Sequence, residues 1–63
     1  MLEPEDAAEL DRIRDAKQQA REIAEWERRV VLRARRNGAT QEEIGRRLGI
    51  SQQAVFKIEQ RDG

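Results

Sequence analysis

Residues 41–60 read QEEIGRRLGISQQAVFKIEQ, and this stretch decides the fold. Ile44 and Leu48 are four residues apart, so they lie on one face of a helix. Val55 and Ile58 are three residues apart and share a face of a second helix. Two short helices whose apolar faces meet in one small core are therefore predicted.

Two glycines predict how these helices are joined. Gly49 supplies a tight turn between them, and Ile50 follows it into the core. Gly45 lets the helices cross closely because it has no side chain to hold them apart. A tight turn and a close crossing are the features of a helix-turn-helix. The residues expected to complete its core from the preceding helix are Val30, Val31, Ala34 and Trp26.

Capping residues indicate where the two helices begin. Thr40 and Glu43 fit the capping box, so the first helix is predicted to begin at Thr40 and to end at Leu48. Ser51 can accept a hydrogen bond from the first turn of the second helix, which is predicted over about 52–61.

The residues before this motif predict one long helix. Pro4 suits a first helical position, and the acids around it favour the positive end of the helix dipole. No further Pro or Gly occurs before Gly38, and Asn37-Gly38 is a good helix end. The predicted fold class is therefore all-α: a long helix from Pro4 to Asn37 followed by a helix-turn-helix, three helices in total.

Apolar residues repeat at helical spacing along the first part of this helix, interrupted by Lys17 and Glu27. Such a face needs a cover, and the rest of a 63-residue chain is too short to supply all of it. We expect residues 1–28 to form a homodimer, leaving residues 29–63 as the helix-turn-helix domain. The expected interface residues are Leu10, Ile13, Ala16, Ala20 and Ile23.

The stretch from Thr40 to about Gln60 resembles the helix-turn-helix of phage repressors and Cro proteins. The resemblance includes Gln41, Gly45, Gly49, the apolar positions and the Gln52-Gln53 pair. The sequence from Trp26 onward is also similar to short helix-turn-helix proteins of actinobacteria and their phages. The resemblance implies a sequence-specific DNA-binding protein, a transcriptional regulator of the repressor kind.

The resemblance implies that Gln41 contacts a phosphate and that Gln52 and Gln53 reach base edges. Chemistry agrees, because a Gln amide can pair with N6 and N7 of adenine in the major groove. Phe56 faces outward if Val55 and Ile58 face inward, and it either touches a thymine methyl or packs against the long helix or a partner chain. Lys57 is the fourth predicted base contact. The remaining predicted phosphate contacts are Ser51, Gln60, Arg33, Arg35, Arg36, Arg46 and Arg47.

Composition narrows the function classes. The chain contains no Cys and no His, so disulfides are impossible and zinc loses its commonest ligands. We expect no cofactor, no metal, no enzymatic activity and no membrane segment, and a cytoplasmic location on the nucleoid. Residues 1–25 carry eight acids and four bases (net −4), whereas residues 26–63 carry five acids and nine bases (net +4). The basic half suits a nearby anion.

A protein-interaction module is the main alternative to a DNA-binding protein. In that interpretation the helix-turn-helix is a scaffold and the long helix binds a partner protein. The exposed Gln52-Gln53 pair and Lys57 favour DNA.

Overall fold

The computed structural model describes residues 1–19 and 22–61, which contain four helices and no strand. These are α1 (Pro4–Gln18), α2 (Ala24–Arg36), α3 (Gln41–Leu48) and α4 (Gln52–Gln60). The all-α class is confirmed. No helix among these residues has both the length and the apolar composition needed to span a bilayer.

The long helix predicted from Pro4 to Asn37 is wrong, since two helices occupy that stretch. Helix α1 ends at Gln18, α2 begins at Ala24, and the two pack against each other. The chain covers its own apolar face by folding back, which removes that surface from water without a second chain.

The residues expected at a dimer interface are distributed differently. Leu10, Ile13 and Ala16 are buried inside the chain, and the first two are fully buried. Ile23 packs against the same core while half-buried. Ala20 lies outside the described residues. The exposed apolar face that motivated the dimer is therefore covered by α2 and α3.

Lys17 and Glu27, the two polar residues that interrupt the apolar face, pair with each other across α1 and α2. The Lys17 Nζ lies 2.9 Å from a carboxylate oxygen of Glu27, whose side chain is 8% exposed. A buried carboxylate needs such a partner because burial removes its hydration. This ion pair fixes the two helices in register.

The caps of the helix-turn-helix follow the prediction. The Thr40 hydroxyl accepts from the Glu43 amide at 3.1 Å, and the Thr40 amide donates to the Glu43 carboxylate at 2.9 Å. Thr40 is thus the N-cap of α3, one residue before the helix itself. Ser51 accepts from the Ala54 amide at 3.1 Å and caps α4.

One core joins all four helices. Its buried members are Leu10, Ile13, Val30, Val31, Ala34, Ala39, Ile44, Leu48, Val55 and Ile58, with Trp26 and Ile50 packed against it. Helix α1 packs on α2 and α3, whereas α4 packs on α2 and α3 away from α1. The core therefore draws on both predicted segments, 1–28 and 29–63, and leaves the outer face of α4 uncovered.

The turn between α3 and α4 depends on both glycines. Gly49 has a φ of 73°, in the left-handed region that glycine adopts readily. A Cβ at Gly45 would lie only 2.7 Å from the carbonyl oxygen of Ile50. The backbone of α3 thus touches the backbone of the turn.

We expect Gly45→Ala to destabilise the fold. Alanine gains about 1 kcal/mol of helix propensity over glycine, but a contact with a backbone carbonyl is overpacking, which costs about 1–3 kcal/mol. The clash is severe enough that we expect a net loss of about 1–2 kcal/mol in the free energy of unfolding, measured by urea denaturation. Arg46→Ala, at the next and exposed residue, is the control and should change stability by less than about 0.5 kcal/mol. Equal stability of the two variants would contradict the close approach.

Candidate nucleic-acid interface

Helix α4 has one face in the core and an opposite face exposed to solvent. Val55 is fully buried and Ile58 is 5% exposed, so α4 turns one side to the core and the other to solvent. All four predicted base contacts, together with Gln60, are exposed on that outer side: Gln52, Gln53, Phe56, Lys57 and Gln60. This face contains no carboxylate, which suits an approach to polyanionic DNA.

Glu59, on the same helix, turns away from this face and is held by two donors. Arg35 Nε donates to one carboxylate oxygen at 2.8 Å, and Gln41 Nε2 donates to the other at 2.5 Å. The Glu59 side chain is 15% exposed. The negative charge on α4 is thereby neutralised by α2 and partly removed from solvent.

This arrangement orients two amides at the start of α3 and α4. A carboxylate only accepts hydrogen bonds, so the Gln41 amide nitrogen must point toward Glu59. The Gln41 oxygen then accepts from Gln52 Nε2 at 3.4 Å, a long contact. Gln41 and Gln52 therefore lie side by side with defined orientations at the edge of the α4 face.

Sequence reasoning missed the role of Glu59. It is the single acidic residue between residues 44 and 61, and an isolated acid in a helix otherwise free of negative charge is the signal that could have found it. Arg35, predicted as a phosphate contact, is paired with Glu59 and its Nη1 also donates to the Ala39 carbonyl at 3.0 Å.

Helix α1 engages two of the predicted phosphate-binding arginines. Arg33 donates to Asp6 at 2.8 Å and to Glu9 at 2.6 Å, and Asp6 is 2% exposed. Arg47 lies 3.8 Å from a carboxylate oxygen of Asp11. These carboxylates hold Arg33 and Arg47 toward α1, a helix that does not contact α4.

Arg36 and Arg46 are exposed and are not held by α1. Arg46 pairs with Glu42 at 3.2 Å on the surface of α3, a type of pair that contributes little and rearranges easily. Arg36 lines a shallow groove beside Glu9 and Trp26 and makes no ion pair among the described residues. The predicted arginines therefore have different partners, since Arg33 and Arg47 pair with α1 whereas Arg36 and Arg46 do not.

Two carboxylates have lowered pKa values for identifiable reasons. The pKa of Glu9 is lowered by the hydrogen bond from the Trp26 indole and then by that from Arg33. The pKa of Glu43 is lowered first by its hydrogen bond from the Thr40 amide. Both groups maintain the scaffold and neither lies on the α4 face. Among the described residues, no cluster of acids is arranged to hold a metal ion.

A comparison with protein families matches residues 20–61, two thirds of the 63-residue chain, to Sigma-70, region 4. The match covers α2, α3 and α4 and leaves α1 outside. It confirms the predicted helix-turn-helix and its DNA-binding class, which is a class of binding domains and not of enzymes. Among curated proteins and solved structures, no significant match is found.

Stability should fall in acid in a way that depends on Glu9. A lowered pKa in the folded state means that this carboxylate stabilises the fold above its ordinary value of 4.5 and that the contribution is lost as pH falls below it. The melting temperature should therefore drop below about pH 4.5, and Glu9→Gln should lower it at neutral pH and flatten the drop. Circular dichroism melts across this range measure both effects.

Glu25→Gln is the matched control for this experiment. Glu25 is exposed on α2 and accepts no side-chain hydrogen bond among the described residues. Its variant should follow the wild-type pH profile. Parallel profiles for wild type and Glu9→Gln would show that the Trp26 and Arg33 hydrogen bonds do not couple to stability.

Proposed function

Because the chain belongs to the sigma-70 region 4 family of DNA-binding helix-turn-helix domains, we propose that it is a sequence-specific double-stranded DNA-binding regulator of transcription. It reads the major groove with α4. The observation that carries this proposal is the exposed face of α4, which is amide-rich, basic at Lys57 and free of carboxylates. A protein of this kind acts on the nucleoid in the cytoplasm.

Base reading is assigned to Gln52, Gln53 and Lys57. A Gln amide pairs with adenine, and a Lys donates to guanine O6 and N7. Gln53 is exposed and makes no side-chain hydrogen bond among the described residues, so its amide is available. Gln52 keeps its oxygen and one N–H available while its other N–H contacts Gln41.

Phosphate contacts are assigned to the groups that border α4. Gln41 and Ser51 lie at the N-terminal ends of α3 and α4, where helix dipoles favour anions. Gln60 lies at the far end of the same face. Arg36 and Arg46 can reorient toward a phosphate, whereas Arg33 and Arg47 would first have to leave their carboxylate partners on α1.

The experiment that tests the proposal is selection on random duplex DNA, with the footprint length recorded. A preferred sequence whose affinity falls steeply with salt supports it, because phosphate contacts release counterions. Absence of DNA binding at low salt would overturn it and favour the protein-interaction module. The footprint also reports whether a site is single or two-fold, and repression or activation follows from where the site lies relative to promoters.

Gln53→Ala should weaken binding to the selected site by about 1–3 kcal/mol and relax the preference at one base pair. Non-specific binding should hardly change, because phosphate contacts are untouched. Gln18→Ala, at an exposed glutamine on α1, a helix that does not contact α4, is the control and should bind like wild type. An equal loss on every sequence would mean that Gln53 does not read a base.

The homodimer through α1 loses its motivating observation, since Leu10 and Ile13 are fully buried in the chain's own core. A DNA site with two-fold symmetry would still bind two copies of the chain, because its half-sites lie about 34 Å apart, one turn of the duplex. We therefore propose a monomer in free solution and any pairing only on DNA.

Sedimentation at micromolar concentration should give the mass of one chain without DNA. Ile13→Asp should unfold the chain, because it places a charge in the core. A dimeric mass for the wild type without DNA would contradict the monomer. If Ile13→Asp then remained folded and became monomeric, the homodimer through α1 would be supported instead.

A further inference from the structure

Phe56 is an aromatic side chain on a face otherwise made of amides and a lysine. It is 49% exposed, and Met1 and Phe56 are the exposed large hydrophobic side chains among the described residues. It follows Gln52 by four positions and Gln53 by three, so it lies on the same stretch of helix surface. Phe56 is thus surrounded by the groups assigned to base reading.

The core does not explain this position. Val55 and Ile58 already fill the core side of α4 and are almost completely buried. A single exposed ring is ordinary on a protein surface and is too small for a protein-docking patch, which spans a few hundred Å². What distinguishes Phe56 is the face on which it lies.

The major groove offers one apolar partner for such a ring. Base edges there present donors and acceptors, except at thymine, whose C5-methyl group is apolar. A helix that presents glutamines and, beside them, an aromatic ring has the chemistry to recognise a site with several A·T pairs, since the amides pair with adenine and the ring can contact a thymine methyl.

We propose that Phe56 packs against the C5-methyl group of a thymine and makes the chain select thymine at that position. This inference rests on the proposed DNA-binding function, and the exposure of Phe56 on the face of Gln52 and Gln53 selects the thymine contact from the roles that the sequence left open. Gln52 and Phe56 are one helical turn apart, about 6 Å along the axis. The thymine should therefore lie within about two base pairs of the pair read by Gln52, at a rise of about 3.4 Å per pair.

The test uses the intact chain and the duplex obtained by selection. Each thymine is replaced singly by deoxyuridine, which removes one methyl group and preserves every hydrogen-bonding edge. At one or two thymines we expect affinity to fall about three- to fivefold, the effect of losing one buried methyl contact. At the other thymines affinity should stay the same.

Phe56→Ala should bind the unmodified duplex more weakly and should no longer distinguish thymine from deoxyuridine at the sensitive position. Its melting temperature should be close to that of wild type because Phe56 is exposed. Gln53→Ala is the matched control: it should lose affinity but still distinguish the two bases. If Phe56→Ala does not fold, Phe56→Leu, which retains an apolar contact, should keep the discrimination.

The outcomes separate this inference from the proposed function. A preferred DNA site that tolerates deoxyuridine at every thymine overturns the role of Phe56 and leaves DNA binding intact. The same result follows if Phe56→Ala discriminates thymine from deoxyuridine as well as wild type does. Absence of any preferred DNA site overturns both, and would turn attention to a protein partner for the α4 face.

Discussion

Gly45 sets how closely α3 approaches the turn that leads into α4. Because the contact is between the Gly45 backbone and the Ile50 carbonyl, no change of rotamer could relieve a larger residue there. This approach fixes the direction in which α4 leaves the turn. Val55 and Ile58 enter the core as a result, and the opposite side of α4, with Phe56 near its centre, is left as a projecting surface. The candidate site is a consequence of one backbone contact.

The helix-turn-helix was predictable from sequence because its determinants are local. A capping box, a left-handed glycine and two apolar pairs act within a few residues of one another. The end of α1 at Gln18 and the start of α2 at Ala24 have no such signal, since the sequence there consists mostly of strong helix formers without Pro or Gly. The chain folds back there because of tertiary packing, in which α2 and α3 cover the apolar face of α1. The signal in the sequence that could have indicated the fold-back is the pair Lys17 and Glu27. These opposite charges interrupt the apolar face and pair with each other across α1 and α2.

The α4 face was likewise predictable, because helical period alone assigns which side of α4 is outward. Exposure of Gln52, Gln53 and Lys57 follows from burial of two apolar neighbours. The arginines were not predictable in this way. Whether Arg33 meets a phosphate or a carboxylate depends on where α1 lies, and a straight N-terminal helix would have left it without those partners. The wrong prediction of one long helix therefore also hid the carboxylate partners of Arg33.

The net charge of zero includes many opposite charges that pair with each other inside the chain. Three acids of α1 pair with arginines of α2 and α3: Asp6, Glu9 and Asp11. Glu59, the acid that α4 itself carries, is paired inward with Arg35. A pI near 6.3 thus averages over charges that are paired within the chain, and it says little about the proposed DNA-binding face of α4. For the proposed entry of α4 into the groove, what matters is that negative charge is withdrawn from one face. The carboxylates that pair with Arg33 and Arg47 come from α1, which lies outside the family match.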